Sequence, residues 1–586
     1  MNTLPKTSSA GPRTCLNCQK EFKIELEDLA YYKKISIAAS AEIPPPSWCP
    51  GCRLERRLSF ANDWNLFWRN CDKCGKRGLS IFSENQKVIA YCPTCWFSDS
   101  WDGAEYAMDY EPHLPFWTQM KELWDKTPKM MLATDYQTVK NCEYANGIGW
   151  SKDCFLVFFA DYCESVYYSS ILNGLRYGMD CLRSTDSELC YECIGINKCY
   201  RTFFSEECDA CVDCWFCRNC YGCTDCVGCV NIRGESHCIF NEKYTKEEYE
   251  KKLKELKPES WKSLQELERK ARTFWLSKPK REYTGNSLNV NVTGEYIFES
   301  RNSKDLYIVT GAEDCKLCQF VTVPRVRDCM DFSGWGNNVT RAYESYAIGE
   351  DSDLICFSFM NWSDSFNLQY CLQNITGKNN FGCFSLKRKS YCILNKQYPK
   401  DEFFKLRAEV VENMKKYPYT DKLGRKYYYG EFFPPEWSWF PYNKSNAMRF
   451  VLKEREKALS EGYSWEEEKM LEYGISMDAK DLPDTMGETG ESVLDEIIQC
   501  SSCPRGYRIV KGELDLLRKF GLPLAHKCPK CREKARFARL NKPKFYDRNC
   551  EKCGKKIRTA FSPPPAGGGG SSEIVYCEKC YQAEFL

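Results

Sequence analysis

The sequence predicts a multidomain, β-rich protein with helices, in which paired cysteine modules at both ends flank two Cys-rich, β-solenoid-like halves. Three observations predict it. Eight Cys-x-x-Cys pairs stand four at each end of the 586 residues. Two stretches of the middle repeat short units that mix cysteine with aromatic and β-branched residues. Both stretches also close alike, on SHCIFNEKYTKEEYEKKL from Ser236 and SYCILNKQYPKDEFFKLR from Ser390.

The N-terminal module, 1–110, carries Cys15/Cys18, Cys49/Cys52, Cys71/Cys74 and Cys92/Cys95. The C-terminal module, 497–586, carries Cys500/Cys503, Cys528/Cys531, Cys550/Cys553 and Cys577/Cys580. In both, 18 residues separate the second pair from the third, and the junction reads RNCDKCGK or RNCEKCGK. Two knuckles fill one tetrahedral thiolate site, so eight pairs imply about four zinc ions. The first half of each module resembles a treble clef. A knuckle leads into an alternating stretch (Phe22 and Ile24, or Tyr507 and Ile509), then into CPGCR or CPKCR and helix-compatible sequence. The free amides of a helix's first turn favour thiolate there. The second half looks like a zinc ribbon. Consecutive pairs are taken to share a metal, with a cross-brace as the alternative. A redox role for the pairs finds no surrounding βαβ pattern.

The two Cys-rich halves are placed at 135–275 and 283–416, each with a closing helix of apolar spacing: Tyr249, Leu253 and Leu256, or Phe403, Leu406 and Val410. Early cysteines fall at intervals near nine. From Cys208 to Cys229 they fall every third residue. Gly, Asp and Asn punctuate too often for a helix. Coils that cannot bury a face alone must stack. The central cysteines read as a ladder of small, buried side chains. A metal or iron–sulfur cluster at Cys208–Cys229 is the rival reading, although the C-x3-C-P ending of a ferredoxin is missing.

Residues 417–496 are expected to form an aromatic, proline-rich strap and an acidic helical linker. The strap, with GEFFPPEWSWFPYN, is expected to lie against another domain. Residues 461–496 hold 12 acidic and 2 basic side chains, whereas 527–558 hold 13 basic and 3 acidic ones. Arg532, Lys534, Arg536, Arg539, Lys542, Lys544 and Arg548 are the candidate contacts to RNA or DNA phosphates, with 532, 536 and 539 on one helical face. Arg53, Arg56 and Arg57 are the N-terminal counterpart. The opposing reading has the acidic run neutralise the basic module within the chain. SPPPAGGGGSS at 562–572 reads as a flexible loop.

Formal charge is +2, so the whole molecule is no polyanion binder. No apolar run reaches membrane-spanning length, and the start lacks a hydrophobic signal segment. A reducing cytoplasm is the expected location. Three histidines and the lack of a P-loop, a placed GxGxxG, HExxH or nucleophile elbow argue against the common catalytic designs. The expected function is a non-enzymatic zinc-binding scaffold for nucleic acid or protein. The alternatives are a metal or redox protein using the central cysteines, or an enzyme of another class. Oligomeric state is open.

The order of these motifs resembles that of a family of zinc-ribbon proteins from candidate-phyla (Patescibacteria-type) bacteria: a CxxC module, repeats ending in CIFNEKYTKEEYEKKL, GEFFPPEWSWFPYN, then CPKCR, RNCEKCGK and EIVYCEKCY. The two modules also resemble the probable treble-clef zinc-binding domain family. The resemblance spans nearly the whole chain. It implies zinc at the sixteen paired cysteines and supplies no activity. Trp437-Ser438-Trp439 is more aromatic than that pattern.

Overall fold

Backbone corners govern the first Cys-rich stretch. From Asn141 to Phe240 every third residue has positive φ. That conformation costs most residues about 1–2 kcal/mol, least for Gly, Asn and Asp. The sequence supplies these at Asn141, Gly147, Asp153, Gly174, Asp180, Asp186, Gly195, Asp213, Asn219, Gly222, Asp225, Gly228, Asn231 and Gly234. Each left-handed residue turns the chain, so each side of a coil is three residues long. The computed structural model, which describes residues 10–286, 288–467, 472–563 and 573–585, stacks these coils in parallel. Cys214 pairs with Cys226, and Cys226 with Cys238. The repeat is thus twelve residues in four sides. Intervals near nine are multiples of the three-residue side and not the coil itself.

The residue after each corner points inward. Ala145, Ile148, Val157, Val166, Leu172 and Ile196 share this core with the cysteines from Cys154 to Cys238. The second stretch is built the same way with looser register. Tyr307 pairs with Gln319, Gln319 with Ser333, Met330 with Tyr343 and Phe366 with Lys378, so its coils run from twelve to fourteen residues. Its core mixes Ile297, Leu306, Val321, Phe332, Ile348 and Leu368 with cysteines.

Both stacks end on an antiparallel turn, Ser236–Ile239 with Glu242–Lys243 and Cys392–Ile393 with Lys396–Gln397. The closing helices follow at Lys246–Leu256 and Lys400–Lys416. A capping box between Thr245 and Glu248 starts the first helix. Tyr249, Phe403 and Val410 are buried, as their spacing predicts; Leu253, Leu256 and Leu406 are half-buried.

Chain order is not packing order. One unit gathers 1–132, 283–467 and 542–545; the other gathers 133–282, 468–541 and 546–586. Each therefore contains most of one terminal module and one coil stack, with the N-terminal module alongside the second stack and the C-terminal module alongside the first. The aromatic strap is packed: Phe432, Phe433, Trp437 and Phe440 are buried, and Trp439 stacks on Trp124 with ring centroids 4.4 Å apart. The loop predicted at 562–572 lies mostly outside the described residues. No helix among the described residues is long and apolar enough to cross a membrane.

Candidate metal centres and the arginine-rich helices

Each terminal module first builds a knuckle. In the second half of each module the hairpins Phe67–Asn70 with Arg77–Ser80, and Tyr546–Asn549 with Lys556–Thr559, present Cys71/Cys74 and Cys550/Cys553 in their turns. Gly75 and Gly554 close those turns at positive φ, each N–H donating to the carbonyl of the first cysteine. The second pair of every centre opens a helix. Cys49, Cys92 and Cys528 are N-caps, with proline next, and Glu578–Phe585 follows Cys577. Proline at the first helical position loses no needed hydrogen bond.

The sulfurs converge in four groups: Cys15, Cys18, Cys49 and Cys52; Cys71, Cys74, Cys92 and Cys95; Cys500, Cys503, Cys528 and Cys531; Cys550, Cys553, Cys577 and Cys580. Consecutive pairs meet, so the cross-brace alternative does not apply. Within each group the ligand atoms lie within 4.8 Å of one another. The Sγ–Sγ distances Cys18–Cys49, Cys74–Cys92, Cys503–Cys528 and Cys553–Cys577 are 3.8, 3.9, 3.8 and 3.7 Å. Four thiolates about 2.3 Å from one ion stand roughly 3.8 Å apart at tetrahedral angles, so the donor sets fit a tetrahedral metal.

One electrostatic device recurs in all four. The N–H of Cys49, Cys92, Cys528 and Cys577 donates to the sulfur of Cys15, Cys71, Cys500 and Cys550, each at 3.2 Å. Burial pushes the Cys71, Cys500 and Cys550 thiols up, but backbone N–H donors outweigh it. They hold the three at about 7, about 7 and about 6. Cys15 is also held well below the thiol range, first through its contacts with Cys49 and Cys52.

The basic helices behave differently from expectation. Arg532, Arg536 and Arg539 share a face, but that face meets the coil wall and not solvent. Arg532 Nε and Arg536 Nη1 reach the two oxygens of Asp180 at 3.1 and 2.6 Å. Arg532 also pairs with Glu513, Arg536 with Glu192, and Arg539 with Glu192 and Glu206. Asp180 is fully buried, and Arg532 and Arg536 are 5% and 2% exposed. Burial opposes the charge on Arg532, yet Asp180 and Glu513 outweigh it and keep the guanidinium protonated. These arginines are therefore corrected from phosphate contacts to internal ion-pair partners. Arg548 bonds Glu551 and the Ser562 and Glu573 carbonyls, and Lys542 donates to the Arg449 carbonyl. Lys534 and Lys544 are exposed.

The N-terminal helix Pro50–Ser59 makes the same contact. Arg53 Nε donates to Asp331 at 2.7 Å, Arg57 lies 3.6 Å from that carboxylate, and Arg56 pairs with Glu344 and Glu431. Arg53 and Arg532 each follow the last cysteine of their centre, and Arg57 and Arg536 stand four residues on. Asp331 and Asp180 both follow methionine and both sit at a positive-φ corner. The acidic partners escaped the sequence reading. The repeated Met-Asp and the matched CR-x-x-x-R signal were the available clues.

No family model matches the chain, and no curated protein matches it. Among solved structures, a protein from Desulfovibrio desulfuricans G20 described as a candidate acetyltransferase is 10% identical over 50% of this chain and 77% of its own, with a TM-score of 0.11. A likeness that weak carries no argument about fold or activity.

Proposed function

We propose that the chain is a zinc-stabilised, non-enzymatic binding scaffold. The observation that carries this reading is the twin clamp. In each unit a helix opening at a four-cysteine centre sends two arginines, one turn apart, onto a buried corner aspartate of the coil stack. A metal that fixes such a helix fixes the wall it grips. Zinc suits four convergent thiolates, and a centre with four cysteines leaves no position for water or substrate, which favours a structural role over catalysis. The zinc-ribbon and treble-clef assignments belong to this proposal. Free thiols throughout the coils fit a reducing cytoplasm.

The test is elemental analysis of the full chain, expected to return about four zinc ions. One zinc or none in folded protein would sink the reading. Nucleic acid remains the second reading only through groups outside the clamp, such as Lys534 and Lys544. Full-length protein that fails to retain RNA or single-stranded DNA at low ionic strength would leave protein partners alone.

A further inference from the structure

Two consecutive coils of the first stack differ from every other coil. At Cys208, Cys211, Cys214 and Cys217, all four inward positions of one turn are cysteine. At Cys220, Cys223, Cys226 and Cys229, all four of the next are cysteine too. Elsewhere single inward cysteines, such as Cys154, Cys163 and Cys181, alternate with Ala, Val, Leu, Ile, Ser or Thr. These eight side chains are at most 1% exposed. Side chains are neighbours around the ring and between levels: Cys211 has Cys208 and Cys214 beside it in its turn, Cys199 below and Cys223 above. Cys217 has Cys214, Cys220 and Cys229 as neighbours.

We infer that this double ring is a binding site for a soft monovalent d10 cation, copper(I) being the biological one. Sulfur donors select soft metals, and the ring geometry narrows the choice. Its sulfurs do not form a group lying mutually within 4.8 Å, as the four terminal centres do. Neighbouring sulfurs with wider diagonals suit two-coordinate ions bridging adjacent sulfurs better than a tetrahedral zinc. Coils at the strand spacing of about 4.8 Å, filled by their own side chains, leave no room for the inorganic sulfide of an iron–sulfur cluster.

Charge sets the stoichiometry. An unpaired charge is expensive inside such a core. If each copper(I) replaces one thiol proton, with bridging thiolates shared between ions, the interior stays neutral. One copper–sulfur set forms, one proton leaves to solvent per ion, and no electron changes hands. One ion per thiol is the ceiling on this count, so the eight ring cysteines hold no more than eight copper ions.

Serine gives a clean control, because this stack already uses it inward. Ser169 donates to the Tyr167 carbonyl two residues back, as Cys211 does to Asp209. Full-length protein is produced in copper-supplemented cells and purified without oxygen. Wild type should retain copper beyond its zinc, with a near-ultraviolet thiolate-to-copper absorption band. Cys211→Ser/Cys214→Ser/Cys223→Ser/Cys226→Ser should lose more than half of the copper and keep its zinc. If that variant misfolds, Cys214→Ser/Cys226→Ser should show a smaller loss of the same kind. Three results overturn the inference: no copper in wild type, copper that replaces zinc one for one, or folded variants that retain it all. Zinc content reports separately on the scaffold reading, so the two fail independently.

Discussion

The two coil stacks meet their four-cysteine modules in the same way and fill themselves differently. Arg53 and Arg57 on Asp331 repeat Arg532 and Arg536 on Asp180 in residue type, helical spacing, corner conformation and burial. Inside, the first stack holds a strict twelve-residue register and sixteen cysteines between Cys142 and Cys238. The second drifts to fourteen residues, admits Phe332 and Leu386 to its core, and holds seven cysteines between Cys315 and Cys392. The thirteen- and fourteen-residue coils of the second stack include those around Phe332, whereas the first stack keeps twelve with residues up to the size of Leu172 and Leu175 inside. The outer clamp is therefore the shared design. Differences in property between the units should come from their interiors.

Removing a metal should have the largest effect and should respect the unit boundary. Cys528→Ser should release one zinc and loosen the C-terminal module, with metal-coupled folding energy on the order of 10 kcal/mol at stake. Cys49→Ser should do the same at the other end. Limited proteolysis with zinc counting checks both. A variant that frees all the zinc would mean that the centres do not fold independently.

The clamp comes next. Asp180→Asn and Asp331→Asn each leave two buried guanidiniums short of charge, and breaking such a pair typically costs about 3–5 kcal/mol. Similar losses in the two units would sharpen the comparison, and a loss confined to one would break it. Replacing the buried cluster in one unit, Asp180→Leu and Glu513→Gln with Arg532→Met and Arg536→Met, should recover much of the stability. Apolar groups of similar volume often replace a buried ion pair without loss. Denaturant melts of the single and combined variants decide this.

The terminal centres were legible because metal ligation needs fixed residue types at fixed spacing, and the pairs identify themselves. The inward cysteine ladder was legible only from Cys208 to Cys229, where every inward residue is the same. Upstream, Val157, Ser169 and Leu175 occupy equivalent positions and hide the three-residue step. Corners such as Tyr168, Leu189 and Phe204 take positive φ without the Gly, Asn or Asp that would announce it; the ladder of the stack, not local preference, sets their backbone. The arginine face was read correctly as a face and wrongly as an exposed one. Sequence periodicity says which residues point together, and it does not say what they meet. Asp180 and Asp331 lie far along the chain from their helices, so no local pattern could link them.

Alkaline pH should separate the two interiors. Burial pushes the Cys163 thiol of the first stack and the Cys356 thiol of the second up to about 12. An unfolded thiol ionises near 8.5. Between those values the unfolded chain has lost protons that the folded chain keeps. The stabilisation is thus complete below about pH 8.5 and falls by about 1.4 kcal/mol per pH unit for each such thiol as pH rises towards the folded value. The unit richer in buried thiols, 133–282 with its module, should unfold first in an alkaline titration followed by hydrogen exchange. Cys163→Ser and Cys356→Ser should each flatten the slope of their own unit. Equal alkaline sensitivity of the two units would contradict the contrast drawn between their cores.

The smallest effect expected is that of a single inward cysteine. Cys214 and Cys220 are fully or almost fully buried, and each thiol donates to the carbonyl two residues back. Cys371 stands in the same relation to Gln369 in the second stack. Replacing any of the three by alanine removes one sulfur and one weak hydrogen bond, from a coil whose backbone ladder stays intact. Ala145 and Ala160 already occupy inward positions of the first stack, so the coil tolerates that side chain. Each substitution should cost about 1–2 kcal/mol in zinc-loaded, copper-free protein, the range of a modest core volume loss, with zinc content unchanged. A cost above the clamp variants', or zinc lost with the thiol, would mean that the ladder holds metal even in that preparation. Similar small costs at Cys214 and Cys371 would show that a lone thiol is worth the same in both stacks, so that whatever distinguishes the first must come from completing the ring.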